Sequence, residues 1–449
     1  MTDTTTTATG VPSAIDTDAG ARPTELLPIP QLLRISLYWL GLTAIDAAVG
    51  LYVTNRLAFD QLVPTDDVGK SMFVIGIGAA IVGIVIQPTV GYISDFTVSR
   101  WGRRKPYIVF GSLLDVVFLV GIAFGNSVLV LAAFMLLLAV STNIARGPFQ
   151  GYVPDLVAEP QVGLASGMVG LMQVVGNVTG FLLVSLSVTL GAMHLSLIAV
   201  AIVELVTMLS VVLRVPKGLP PKPREGKSWR RIAREAWATD ILQERSYVWL
   251  LVSRLLFLTA GGLLVNFVIL FLQRAFFYDK VEANQWYVVI LVVVVAANVI
   301  AILPASKLSD RTGRKPLIFL ACAGGAIGAG IVALAPSIPV ALAGAALFGA
   351  ANGTFLAVDW ALMTDIIPRA SAGRYMGMSN VATGASTPIS LAIGGLVLDA
   401  VATGGNEPFS PRAVFLLAVV VFAAAAVTLR PVVEPRRAGG APAPAAAAA

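Results

Sequence analysis

Residues 91–106 read GYISDFTVSRWGRRKP, and residues 306–316 read SKLSDRTGRKP. Each is a short basic block between two long apolar runs. A shift of 210 residues lays Arg104-Lys105-Pro106 on Arg314-Lys315-Pro316. The same shift lays Asp155 on Asp365 and Gly167-Met168 on Gly377-Met378. Three separated clusters agreeing on one offset mark an internal repeat, the pattern of two halves related by a pseudo-twofold axis along a membrane normal.

The runs on either side of these blocks set the class of protein. Hydrophobic residues make up 57% of the chain and charged residues 12%, with a mean hydropathy of +0.84. A soluble domain covers its surface with about twice that charge. The apolar residues come in blocks of about 20, the length that crosses a ~30 Å hydrocarbon core as a helix. Lipid leaves backbone groups unsatisfied in anything but a helix or a closed barrel, and the two-residue alternation of a barrel is absent. Spans are predicted near 33–57, 70–93, 106–124, 127–150, 165–188, 192–214, 247–274, 283–305, 316–334, 338–363, 373–398 and 411–430. The expected fold is an all-α membrane protein of 12 transmembrane helices in two pseudo-symmetric six-helix bundles. The bundles cover residues 31–214 and 247–430, joined by a cytoplasmic linker over 215–246, with disordered tails at 1–30 and 431–449.

Orientation follows from the basic residues. Of the 31 Lys and Arg, 24 fall on the side holding both termini and only five on the other, so the termini are expected in the cytoplasm and the protein in the inner membrane. The same distribution argues against a nucleic-acid groove, because the charges are spread over short loops. The linker opens with VPKGLPPKPREGK, and the following SWRRIAREAW has the pattern of an amphipathic helix lying on the membrane surface. No signal peptide is expected: residues 1–30 are Thr-rich, with no basic start leading into a short apolar stretch. One cysteine, Cys322, and one histidine, His194, leave no basis for a disulfide, a metal cluster or a cofactor site. An enzyme is not expected, and the chain is expected to act as a monomer.

The two basic blocks resemble the major facilitator superfamily, whose loop between spans 2 and 3 carries a Gly-x-x-x-Asp and a following Arg-x-Gly-Arg cluster. By that resemblance Gly91, Asp95, Arg100, Arg103 and Arg104 form a gate motif, with Asp310, Arg311 and Arg314 as its copy. A small residue such as Gly91 lets two helices approach closely, and Asp95 is placed to accept from an arginine near a helix N-terminus. The same charges could instead simply anchor a cytoplasmic loop. The first copy is five residues longer than the second, and QPTVGYISDFTVSRWGRRKPYIVFG is similar to the sucrose-transporter-like and glycoside–pentoside–hexuronide:cation symporter branch. The span 4 stretch GPFQGYVPDL resembles sucrose transporters, except that Gln150 stands where that family has a basic residue.

Ionisable groups inside spans cost about 2.5–3.5 kcal/mol each even on a lenient scale, so each needs a partner or a task. They are Asp46, Asp115, Arg146, Glu204, Arg254 and Asp359. Under the 210-residue shift Asp46, Asp115 and Glu204 meet Leu256, Gly325 and Val414, so the scaffold reads as symmetric and the chemistry does not. Asp46, Arg146, Asp115 and Glu204 are the candidates for ion coupling. Asp46 and Arg146 are the expected pair, which is also the pattern of proton–sugar symporters of the superfamily. A static pair that only neutralises two buried charges is the alternative. Asn143, Arg146 and Gln150 share one face of span 4, and with Gln173, Asn177, Asn352 and Asp359 they are the candidates for substrate binding. Hydrogen bonds that only glue the bundle are the other reading of these polar groups. Tyr38, Trp39, Tyr52 and Trp360 are aromatic candidates for sugar stacking or for anchoring at the membrane interface.

The resemblance implies a secondary transporter of a small solute, a sugar or glycoside moved with H+ by alternating access. Na+ is the alternative ion. A proton-driven exporter of a drug-like or secondary metabolite is the alternative function.

Overall fold

The computed structural model describes residues 25–60, 62–64, 67–158, 161–218, 220–235, 244–366 and 372–433. The expected tails fall largely outside these residues. Within them the chain forms helices and no strand, and twelve of the helices are long and apolar enough to cross a membrane. The first half contributes α1 (Ile29–Phe59), α2 (Val68–Ser94), α3 (Lys105–Phe124) and α4 (Val128–Gln150), a one-turn α5 (Tyr152–Leu156), then α6 (Val162–Thr189) and α7 (His194–Arg214). The linker carries α8 (Trp229–Glu235), within the segment read as amphipathic. The second half contributes α9 (Arg245–Phe276), α10 (Lys280–Thr312), α11 (Arg314–Leu334), α12 (Ile338–Ile366), α13 (Ala372–Thr403) and α14 (Ser410–Leu429).

Helix ends follow local chemistry. Pro106 lies in the first turn of α3, where its missing N–H costs no hydrogen bond. Asp279 caps α10 by accepting from the Glu282 N–H at 2.8 Å. The second basic block corrects the expected loop. Span 8, read as 283–305, is a helix that continues through Ser309 to Thr312, so Asp310 and Arg311 sit on α10. Gly313 alone turns the chain into α11, with φ 93° and ψ 163°, a conformation essentially restricted to glycine. The first block keeps a true loop because it is five residues longer.

The halves repeat one packing scheme. In the first, α1 packs on α6 and α7, and α4 on α2 and α3; in the second, α9 packs on α13 and α14, and α12 on α10 and α11. Glycine sets the closest approaches. A Cβ on Gly147 of α4 would lie 2.4 Å from the Gln87 carbonyl of α2, and one on Gly76 of α2 would lie 2.5 Å from the Pro388 carbonyl of α13. Gly91 lies against the Gly147 backbone, the close helix contact expected of it.

The halves are tied together at the end opposite the basic blocks. Asp399 of α13 accepts the N–H groups of Gly69 and Lys70 at 2.7 and 2.5 Å, so it caps the start of α2 across the joint. Asn55 and Asn284 exchange amide hydrogen bonds at 2.7 and 3.3 Å, and Lys280 reaches Asp60 at 2.7 Å. Gln273 donates to the Ala58 carbonyl, and Phe181 meets Tyr287 edge-on at 5.4 Å.

Candidate functional site: intramembrane ion pairs and the basic-end cluster

Arg146 of α4 donates to Asp46 of α1 at 2.5 Å, closing the pair read from sequence. The Asp46 side chain is 47% exposed and that of Arg146 13%. α1 packs against α4 and, across the joint between the halves, against α9. The pair keeps an exposed carboxylate beside a largely buried guanidinium.

The second half holds a counterpart that the residue shift missed. Arg254 of α9 donates to Asp359 of α12, and its Nε and Nη2 reach Thr383 Oγ1 of α13 at 3.2 and 3.0 Å. Each half thus carries an ion pair between its first and fourth spans, with the charges exchanged. The equivalence is two residues off on the first span and three on the fourth, which hides it from a rigid shift. The chemistry is therefore more symmetric than the sequence suggests. Exposure separates the two pairs: Arg254 and Asp359 are sealed, with Asp359 only 1% exposed.

Asp115 and Glu204 lie wholly inside the first half. Asp115 Oδ1 accepts from Ser141 Oγ and from Thr142 Oγ1, the latter at 2.9 Å. Tyr38 donates to Glu204 Oε1 at 3.3 Å and lies 2.5 Å from Ser112 Oγ. Tyr38 and Tyr52 are both buried, and Tyr52 donates to the Ala123 carbonyl at 2.9 Å, so neither is an interfacial anchor. Trp39 is half-buried against Phe149; the Trp360 side chain is outside the described residues.

The polar faces are dispersed. Asn143 donates back to its own helix, to the Ala139 carbonyl at 2.7 Å, and lies against Gly83 of α2. Gln150, Gln173 and Asn352 are half-buried and Asn177 is exposed, while Asp359 is taken up by Arg254. Two further polar residues face the joint between halves and are not singled out by the sequence. Gln87 is buried, with its Nε2 unpartnered and its Oε1 directed at Gly384 of α13. Asn266 of α9 donates to Ser390 of α13 at 2.9 Å and lies beside Gly50 of α1. Isolated amides on apolar spans were the available signal.

At the basic end, Arg103 and Arg104 converge on Asp155, a residue that the sequence marks as part of the repeat and of the span 4 stretch GPFQGYVPDL, but not as part of the gate motif. Arg103 Nη2 meets both Asp155 oxygens at 2.7 Å, and Arg104 contributes Nε at 2.7 Å and Nη2 at 3.1 Å. Asp95 lies 3.1 Å from Arg104 and 3.7 Å from both Arg103 and Lys222. The linker is stitched to the same cluster, since the Lys222 N–H donates to the Asp95 carbonyl at 2.8 Å. Arg100 stays outside, exposed and stacked on Trp101 at 5.6 Å. Arg311 is exposed, Arg314 is half-buried, and the Asp310 side chain is outside the described residues.

Known proteins bear on this architecture. A stretch of 126 residues is 37% identical to the general alpha-glucoside permease of Schizosaccharomyces pombe, covering 24% of this chain and 23% of that protein. A stretch of 117 residues is 32% identical to a sucrose transport protein of Arabidopsis thaliana, covering 22% and 23%. The matched stretches thus span about a quarter of each of these relatives. Among solved structures, a nucleoside transporter superposes with a TM-score of 0.68 at 15% identity, over 89% of this chain and 98% of that one. A D-xylose-proton symporter does so with a TM-score of 0.62 at 17% identity, over 87% and 96%. These two share the fold. The family model for MFS/sugar transport protein matches residues 66–430, most of the chain. The chain is a multi-pass membrane protein and belongs to the MFS/sugar transport family.

Proposed function

We propose that this protein is a secondary transporter that moves a sugar or glycoside together with protons by alternating access. One observation carries the reading: of the two matching ion pairs, only the Asp46–Arg146 pair has an exposed carboxylate. An ion pair whose carboxylate is exposed can exchange a proton in a way that a sealed pair cannot. Protonation of Asp46 cancels the attraction and frees Arg146 to hydrogen-bond elsewhere, substrate hydroxyls included. Release of that proton on the other side of the membrane restores the pair. Permease and sucrose-transporter relatives support a saccharide, and the fold shared with a D-xylose-proton symporter is consistent with proton coupling.

Substrate would lie between the halves, near Arg146 and Gln150 on α4 and the joint-facing amides Gln87 and Asn266. In this reading both termini and the linker are cytoplasmic, and the chain works as a monomer. The ties at Asp399, Asn55 and Asp60 then close the outer side, and the Asp95–Arg103–Arg104–Asp155 cluster governs the inner one.

Reconstituted protein in lipid vesicles tests this directly. An inwardly directed proton gradient should drive accumulation of labelled sucrose or another α-glucoside, abolished by a protonophore. A flat response to every α-glucoside and pentose under an imposed gradient would sink the reading.

A further inference from the structure

Asp115 on α3 and Glu204 on α7 meet where these helices pack: Tyr38 bonds Glu204 and reaches Ser112, one turn from Asp115, the two carboxyls neighbour one another, and both residues are 0% exposed. Their donors are too few for two carboxylates. Asp115 Oδ1 takes Ser141 and Thr142, and Tyr38 and Ser112 serve Glu204, while Asp115 Oδ2 and Glu204 Oε2 receive no donor. An unpartnered carboxylate oxygen in a closed interior is costly, and two like charges in one site cannot both ionise without compensation. A single proton held between the two groups supplies the missing donor and removes one charge.

The surroundings fix where the remaining charge acts. Tyr38 of α1 bonds Glu204, and on α4 Arg146 lies one helical turn beyond Thr142, the residue that bonds Asp115. The other helix packed on α7 in this half, α6, carries no ionisable side chain. Arg146 is thus bonded to Asp46 on one side and neighbours, along its own helix, the threonine that holds Asp115.

We propose that Asp115 and Glu204 form a proton-holding carboxyl pair whose residual negative charge is a second counterion for Arg146. When Asp46 takes a proton, Arg146 is then not left as an uncompensated buried cation. The second-counterion role rests on the proton-coupled transport reading; the held proton does not.

Two measurements separate these parts. Infrared difference spectroscopy on the full-length protein in lipid at neutral pH, comparing wild type with Glu204→Gln and with Asp115→Asn, reads the proton. A protonated-carboxyl band in wild type that each substitution removes or shifts is expected. Its absence from wild type, or indifference to both substitutions, overturns the pair. Each amide matches the shape of the acid it replaces, and if one variant does not fold the other reads the same band. In the double variant Asp115→Asn/Glu204→Gln, Arg146 has only Asp46 as counterion, so Asp46 is held ionised to lower pH. Half-maximal gradient-driven uptake should then move to more acid pH by about one unit, a tenfold change in proton concentration. An unmoved midpoint overturns the counterion role. A band that behaves as expected, in a protein whose Asp46→Asn variant still accumulates substrate, would count against Asp46 coupling and leave the carboxyl pair standing.

Discussion

Asp155 receives hydrogen bonds from both Arg103 and Arg104, three of them at 2.7 Å, with all three side chains nearly buried. Asp95, the acid that the motif points to, is the more exposed partner and sits farther away. Removing one partner of a buried ionic network costs about 3–5 kcal/mol, because the remaining charges stay uncompensated. Asp155→Asn should therefore lower the melting temperature of the purified protein more than Asp95→Asn does. Arg100→Ala should leave it unchanged, since Arg100 is exposed and stacks on Trp101 outside the cluster. Equal losses for Asp155 and Asp95 would contradict this order.

Asp399 holds the start of α2 across the joint between halves through two N–H groups. Such charge-assisted bonds contribute about 1.5–3 kcal/mol each. Asp399→Ala should loosen that end. On a Cys322→Ala background, a Thr54→Cys probe, buried in the native protein, should react faster with a membrane-impermeant thiol reagent when Asp399 is removed. An unchanged labelling rate would show that other contacts carry the joint.

The twelve spans, their grouping into halves and the Asp46–Arg146 pair are legible in the sequence, for a common physical reason. A charge or an apolar block in a membrane protein is costly to misplace, so it announces itself. Asp155 does not stand out as the hub of the cluster because it lies outside the local motif, and only the approach of α5 to the 95–104 loop brings it there. Arg254 and Asp359 stand out singly but not as a pair. Their spacing departs from the 210-residue offset, and helix packing tolerates such slips while an alignment by fixed offset does not. The helix running through Asp310 is hidden because a basic block reads as a loop unless the single permissive residue, Gly313, is recognised as the whole connection.

Gly147 and Gly170 make a matched test of packing. A Cβ on Gly147 meets the Gln87 carbonyl at 2.4 Å, whereas one on Gly170 of α6 meets nothing within 4 Å. Overpacking of this kind costs about 1–3 kcal/mol, while alanine in an open helix position gains about 0.5–1 kcal/mol over glycine. Gly147→Ala should destabilise the protein in thermal unfolding, and Gly170→Ala should be neutral or slightly stabilising. The reverse order would mean that α2 and α4 do not meet as described.

The orientation proposed from the basic residues places Ser228, at the start of α8, in the cytoplasm. A Ser228→Cys probe on the Cys322→Ala background should be labelled by impermeant reagent only after the membrane is opened. Labelling in intact cells would invert the topology and, with it, the sides assigned to the two gates.

Asp46→Asn separates proton coupling from substrate movement, measured as two activities of one reconstituted variant. The amide keeps the size of the carboxyl but neither ionises nor pairs with Arg146. Proton-coupled transport through Asp46 predicts that gradient-driven accumulation is lost while exchange of labelled for unlabelled substrate persists. Accumulation by the variant that still follows the proton gradient at the wild-type rate would contradict it.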